Sequence, residues 1–213
     1  MRHGKLPKNI VEIAKVIIDA GVDGSSLNEA LGLVATGCVP RECGVQIDLI
    51  NLFCDEGADP NRASEGAAAH GELEALRRLL TRGAELSLAI AAALGRTDDA
   101  YHLLSHATRD ERHLALALAA QFGRAEIVRL LLDAGEDANR FNPVGAHSHS
   151  TPLHQAALGG HFDVVKLLVE RGAELDIKDI LFGGAPADWA EHGGKKEVET
   201  YLRGLGRNVA KSN

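Results

Sequence analysis

The chain has 213 residues, 45% of them hydrophobic, and its 30 acidic and 23 basic side chains give a formal net charge of −7. This acidic balance argues against a nucleic-acid partner, because phosphate recognition needs a basic face, whereas a partner protein with a basic surface stays compatible. No stretch approaches the roughly 20 apolar residues of a membrane span, and no signal-peptide core follows MRHGKLPKN, so we expect a cytoplasmic protein without membrane contact.

The first predicted element is an amphipathic helix over residues 9–23 that ends at Gly21. It resembles the second member of a helical pair, but only eight residues precede it, so its mate is missing. Its apolar surface is wide and includes Ile13, Val16 and Ile17. Three explanations stay open: a half-repeat that Met1–Pro7 folds over, a surface for homodimerisation, or a truncated gene.

The next predicted pair of helices runs from Leu27 to Gly37 and from Val45 to Asn61. Pro40, in the segment CVPREC between them, is expected to stop the first helix and to create a longer loop. Three cysteines lie in this part of the chain, and their odd number and irregular spacing indicate unpaired thiols rather than a disulfide framework: Cys38, Cys43 and Cys54.

From Gly66 onward the sequence repeats one layout: a short Ala/Leu-rich helix, a glycine turn and a longer amphipathic helix. Gly83, Gly135 and Gly172 each follow a longer helix, where a left-handed C-cap is needed. No such unit could bury its apolar face alone, so the units are expected to stack. The copies occupy residues 66–85, 89–107, 114–139, 151–179 and 185–206.

The segments TPLHQAALGGH and VVKLLVERGAELD closely resemble the ankyrin repeat. The resemblance implies an all-α ankyrin-repeat solenoid of about six helix–turn–helix units, and we expect one domain over residues 1–213. It also implies that Thr151 and Pro152 start a first helix, and that the Thr151 hydroxyl and the His154 imidazole join hydrogen bonds between repeats. More loosely, PKNIVEIA, CVPRECGVQ and NPVGAHSHSTPLHQAA are similar to ankyrin-repeat proteins common in bacterial genomes. The last repeat departs from the pattern, with Ala185 in place of the Thr and Asp188 in place of the His.

Spacing predicts uneven repeats. Gly57 and Gly83 are 26 residues apart, against 33 in an ordinary ankyrin repeat, so the hairpin fingers in the middle of the chain are expected to be short. Towards the C-terminus two fingers are long, one over residues 139–150 and one over residues 176–185. Because fingers and the exposed face of first helices form the usual binding surface of this family, we expect a protein partner to bind there, in the adjoining concave groove.

The residues predicted to contact that partner include aromatic and Arg side chains, which are common interface anchors. Trp189 could instead pack within the last repeat interface, and both alternatives stay open. The predicted partner-binding set is Arg140, Phe141, His147, His149, Gln155, Leu158, Phe162, Phe182 and Trp189.

Chemistry-bearing motifs are sparse. The H-x-H pair His147 and His149 could bind a transition metal if a third ligand converges, with His154, Asp176 or Asp179 as candidates. The same loop could instead bind a small molecule, and either kind of site could be enzymatic. The alternative is a polar loop, and four further histidines are expected in solvent or turns: His70, His102, His106 and His113. GxSxG is absent, and the glycine pairs lie in turns between helices, so we expect no enzymatic activity and no cofactor.

Overall fold

The computed structural model of the chain describes residues 5–212, with side chains up to residue 206. Every regular element in this range is a helix, and six helical pairs follow one lone N-terminal helix. The predicted all-α fold class, the number of units and the N-terminal half-repeat are therefore confirmed. The helices fall into two compact units that meet in sequence between Leu86 and Ser87, and each unit is described by itself below.

In the N-terminal unit the lone helix packs on a second helix, as the second helices of successive pairs do. The elements are α1 (Ile10–Asp19), α2 (Gly24–Thr36), α3 (Cys38–Glu42), α4 (Gln46–Asp55), α5 (Asn61–Ala69) and α6 (Leu73–Thr81). The lone helix α1 contacts α4, the second helices α4 and α6 contact each other, and so do the first helices α2 and α5. Within the pairs, α2 contacts α4 and α5 contacts α6.

The segment between α2 and α4 is not the plain loop that Pro40 predicts. Helix α2 ends at Thr36, before Pro40 is reached, because Gly37 takes an extended conformation. Pro40 itself lies inside the five-residue helix α3. The reason is that the first-turn N–H groups of a helix have no intrahelical partner, so a proline there loses no hydrogen bond. Gln46 ties the segment to α2, because its Nε2 donates to the carbonyl of Val34 at 3.1 Å.

The C-terminal unit consists of four pairs in which first helices pack side by side, and so do second helices. Buried alanines line the first helices, for example Ala92, Ala119 and Ala156, and allow neighbouring backbones to approach closely. The elements are α7 (Leu88–Leu94), α8 (Thr97–Leu104), α9 (Arg109–Gln121), α10 (Ala125–Asp133), α11 (Pro152–Gly159), α12 (Phe162–Glu170), α13 (Pro186–His192) and α14 (Lys196–Ser212).

Successive pairs in the C-terminal unit are joined at their glycine turns. Gly123 has φ +69°, and the ring of His161 from the next pair lies directly over it. The Nε2 atom of His161 is 2.9 Å from the carbonyl oxygen of Gln121, and Arg124 in turn reaches back to the carbonyl of Ala93 at 3.3 Å. Arg124 and His161, each directly after a turn glycine, therefore lie over the turn glycine of the preceding pair, which is Gly95 or Gly123 respectively.

The connections between pairs have the predicted unequal lengths. Helix α8 is joined to α9 by residues 105–108, whereas residues 134–151 join α10 to α11 and residues 171–185 join α12 to α13. Asn139, within the longer of these connections, joins the two longer ones: the N–H of Glu174 donates to Oδ1 of Asn139 at 2.8 Å, and Nδ2 of Asn139 donates to the carbonyl of Gly172.

The apolar surface of α1 is only partly covered. Val16 and Ile17 are 68% and 57% exposed. Residues 5–8 lie beside Glu42, Cys43 and Val45, and the part of the predicted cover formed by residues 1–4 lies outside the described residues. Between residues 5 and 212, none of the helices is long and apolar enough to cross a membrane.

Candidate functional site

The two long C-terminal connections lie next to each other in the C-terminal unit. We call residues 139–150 the first finger and residues 176–185 the second finger. The first finger closes on itself through the N–H of Asn142, which donates to the carbonyl of Ser150 at 2.8 Å. The N–H of Ile180 donates to the carbonyl of His149 at 2.9 Å and joins the second finger to the first.

Asp179 determines the shape of the second finger. Its carboxylate is 3% exposed and accepts backbone N–H bonds from Leu181 and Phe182 on Oδ1, at 3.0 and 2.7 Å, and from Gly184 on Oδ2, at 2.8 Å. Burial by itself would raise the pKa of Asp179, but these bonds, with one from Trp189, favour the ionised form and lower the pKa to about 2. The finger is thus folded around a charge that remains in place at neutral pH.

Trp189 joins the second finger to the last two repeats. Its indole Nε1 donates to Oδ2 of Asp179 at 3.0 Å. Its ring centroid is 5.2 Å from that of His154 and 5.6 Å from that of His149. Trp189 is half-buried, so it packs within the last interface and leaves part of its surface exposed.

An open cavity of about 580 Å³ adjoins the exposed part of this indole. Its rim carries a short apolar tip, in which Ile180, Leu181 and Phe182 are 68%, 64% and 80% exposed. Asp188 is the carboxylate among the lining residues, which are Leu158, Phe182, Gly183, Gly184, Asp188, Trp189 and His192.

Side-chain caps stabilise the starts of α11 and α13, the two helices that carry lining residues of the cavity. At the start of α11, Nδ1 of His154 accepts from the N–H of Thr151 at 3.2 Å, and its Nε2 lies 3.2 Å from the carbonyl oxygen of Gly184. The implied structural role of Thr151 and His154 is therefore present in the geometry. At the start of α13, Asp188 takes over the work of the histidine, since its Oδ2 accepts from the N–H of Ala185 at 2.9 Å.

Only part of the predicted contact set converges at this cavity. Leu158, Phe182 and Trp189 line it, and His149 lies against both aromatic rings, with centroid distances of 6.3 Å to Phe182 and 5.6 Å to Trp189. His147 stands next to His149, at a ring-centroid distance of 6.0 Å, and has a left-handed φ of 59°. These five residues form one surface.

The other predicted contact residues lie elsewhere. Gln155 is buried, and its Nε2 donates to Oγ of Ser150, so it supports the first finger from inside. Arg140 pairs with Asp110 at 2.6 Å. Phe162 packs on Tyr201 of α14, with ring centroids 5.2 Å apart. Phe141 is half-buried at the base of the first finger.

His113 corrects one expectation, because it is fully buried rather than placed in solvent or a turn. Its Nε2 lies 2.9 Å from the carbonyl oxygen of Phe141, and burial lowers its pKa below the ordinary value. His113 anchors the first finger on α9 much as His154 anchors the second finger on α11. The sequence signal is only a histidine near the start of a first helix, at a different position from the TPLH motif.

The candidate metal ligands do not form a site. His154 and Asp179 are each engaged in the hydrogen bonds described above. Among the residues that the structure describes, no group of three His, Cys, Asp or Glu side chains is arranged to hold a metal ion.

Comparison with known proteins points to one family. A sequence model for ankyrin repeats, in three copies, matches residues 66–179. The chain is 31% identical over 147 residues to cyclin-dependent kinase 4 inhibitor B of Bos taurus, covering 69% of this chain and 92% of that protein. It is 32% identical over 147 residues to cyclin-dependent kinase inhibitor 2A of Homo sapiens, covering 69% of this chain and 79% of that protein.

Longer proteins are matched over a small part of their length. The chain is 35% identical over 101 residues to ankyrin repeat and SAM domain-containing protein 6 of Mus musculus, covering 47% of this chain and 11% of that protein. It also spans 8% of ankyrin repeat and KH domain-containing protein mask-1 of Caenorhabditis elegans, at 26% identity.

Proposed function

Since the chain belongs to the ankyrin-repeat proteins, we propose that it is a non-catalytic module that binds another protein through its two C-terminal fingers. The contact surface is the one formed by His147, His149, Leu158, Phe182 and Trp189. Two relatives are named as inhibitors of cyclin-dependent kinases, which are themselves proteins, and from them we take the class of partner for this chain.

The observation that carries this proposal is the apolar tip of the second finger. Three consecutive large apolar side chains, Ile180, Leu181 and Phe182, are mostly exposed beside an open cavity. Contiguous exposed apolar surface is costly in water and typically marks an interaction site. The backbone of the tip is held by its hydrogen bonds to Asp179. Little conformational entropy is therefore lost when a partner binds to it.

The proposed partner is a protein rather than a nucleic acid, and the proposed location is the cytoplasm. The acidic net charge of −7 favours a protein over a nucleic acid as partner. Cys38, Cys43 and Cys54 are all free, which fits a reducing compartment and supports a cytoplasmic location.

Quantitative capture tests the proposal. The full chain is immobilised and exposed to a cell extract beside a Phe182→Ala variant and a Tyr101→Ala variant, which removes an equally large, 66% exposed ring from α8. We expect specific proteins bound by the native chain to fall about tenfold with Phe182→Ala and to stay unchanged with Tyr101→Ala. Equal capture by all three folded proteins would contradict the proposed binding surface on the fingers.

We also propose that α1 supports self-association, because Val16 and Ile17 expose an apolar stripe on it. Sedimentation of the native chain over a range of concentrations should show a dimer that Val16→Lys with Ile17→Lys converts to a monomer. Glu12→Lys, on an exposed residue of the same helix, is the matched control. A native chain that stays monomeric at all concentrations would contradict this assignment.

A further inference from the structure

We propose that the cavity beside Trp189 binds an uncharged aromatic side chain that the partner protein inserts between the second finger and α13. This inference rests on the proposed function and gives it a chemical specificity. The cavity, of about 580 Å³, falls within the size range of sites that enclose small organic groups. It is large enough for one aromatic side chain together with part of the backbone that carries it.

The walls of the cavity favour a flat apolar group. Leu158 from α11 lines the cavity, and the rings of Phe182 and Trp189 provide two aromatic surfaces. Aromatic rings that meet edge to face or in offset stacks gain about 1 kcal/mol beyond the burial of their area. An aliphatic side chain would fill part of the same space but would lack this contribution.

The carboxylate that lines the cavity is already paired with neighbouring cations. Asp188 has Arg203 at 3.2 Å and Lys178 at 3.8 Å, and Arg203 also pairs with Glu191 at 2.6 Å. Asp179 is not among the lining residues, and both of its oxygens accept hydrogen bonds, from the finger backbone and from Trp189. A charged anchor would therefore have to displace Arg203 or Lys178, or lose its hydration without gaining a partner, so the cavity selects against charge.

The cavity is also preformed. The Trp189 indole is held by its hydrogen bond to Asp179 and by a T-shaped ring contact with His154. Gly184 lets the finger backbone approach the indole closely, since a Cβ on Gly184 would lie 3.3 Å from Cδ1 of Trp189 and 3.1 Å from Oδ2 of Asp179. A binding site whose walls need no rearrangement loses less free energy to ordering when it is filled.

The test uses the ¹⁵N-labelled full chain and neutral peptide probes. Trp189 is the sole tryptophan in the sequence, so its indole N–H gives one resolved NMR signal beside the cavity. The probe is acetyl-Gly-Ser-Phe-Ser-Gly-amide, and matched probes carry Ala, Lys or Glu in place of Phe. We expect the Phe peptide to shift this signal saturably and to bind about tenfold more tightly than the Ala, Lys and Glu peptides.

Two controls assign the effect to the cavity. Phe182→Ala removes one wall and should weaken the Phe peptide about fivefold, whereas Tyr101→Ala should not change its affinity. Because no ion pair forms, affinity should change less than about twofold between low and high salt. The inference is overturned if the Phe peptide leaves the indole signal unmoved, if the Ala, Lys or Glu peptide binds as well, or if Phe182→Ala has no effect.

The two proposals fail separately. If protein capture depends on Phe182 while the Phe peptide does not bind, the aromatic anchor is wrong and the finger surface stands. If the Phe peptide binds while captured proteins ignore Phe182, the cavity is a real site and the proposed function of the fingers is wrong.

Discussion

The indole of Trp189 donates a hydrogen bond of 3.0 Å to Oδ2 of Asp179, and the same oxygen accepts the N–H of Gly184 at 2.8 Å. One buried carboxylate thus joins the second finger to α13. Every donor around it is an N–H, so the arrangement requires an ion that only accepts hydrogen bonds.

Asp179→Asn should destabilise the protein although it conserves shape. One amide atom can still accept from Leu181 and Phe182, but its NH₂ group then faces the donors of Gly184 and Trp189. We expect the free energy of unfolding to fall by about 2 kcal/mol, measured by urea denaturation with tryptophan fluorescence. Asp176→Asn, on an exposed residue of the same finger, should change it by less than about 0.5 kcal/mol. Equal effects of the two substitutions would contradict this role.

The pH dependence of stability should carry the signature of the same carboxylate. The pKa of Asp179 is lowered from 3.8 to about 2 in the folded chain, so the unfolded chain binds more protons between these values. The contribution is fully present above about pH 4 and is lost as the pH falls to about 2; the shift corresponds to about 2 kcal/mol. The stability difference between the native chain and Asp179→Asn should therefore close over this range. A difference that stays constant down to pH 2 would argue against the ionised form.

The buried histidines should weaken the fold in mild acid. Burial lowers the pKa of His154 below its ordinary 6.5, and the pKa of His113 is lowered for the same reason. Stability is fully present above about pH 6.5 and falls as the pH drops through the lowered pKa values, since the unfolded chain takes up more protons. His154→Gln should make this slope shallower in urea denaturation between pH 7.5 and pH 5, and the exposed His70→Gln should not. A native stability that is flat over this range would contradict the prediction.

Gly123→Ala should cost more than a left-handed backbone alone explains. Its Cβ would lie 2.5 Å from Nδ1 of His161, in addition to the strain at φ +69°. Gly135→Ala, at φ +90° with open space around the Cβ, measures the strain alone, at about 1 kcal/mol. We expect Gly123→Ala to cost about 2 kcal/mol more, by thermal or urea denaturation. Combining Gly123→Ala with His161→Ala should recover much of that excess, and additive costs would show that the contact does not matter.

Local signals in the sequence determined the helical pairs and their turns. The glycines that follow second helices do have positive φ, because the helix C-cap needs a left-handed residue wherever it lies in the fold: Gly83, Gly135 and Gly172. The repeat spacing likewise determined which connections are short and which are long, since helices of similar length leave any shortfall to the linkers. The implied pairing of Thr151 with His154 spans three residues, so one helical turn suffices to form it.

The tertiary structure alone decided what those connections do. Asp179 reaches Trp189 across ten residues, and His113 reaches the carbonyl of Phe141 across 28, so neither role is visible in a local pattern. The same holds for Gln155, which looks like a surface residue in the repeat but is buried beneath the first finger, and for Phe162, which packs on α14. Burial and hydrogen-bond partners depend on how non-consecutive segments meet, and sequence periodicity records only which face of a helix is apolar.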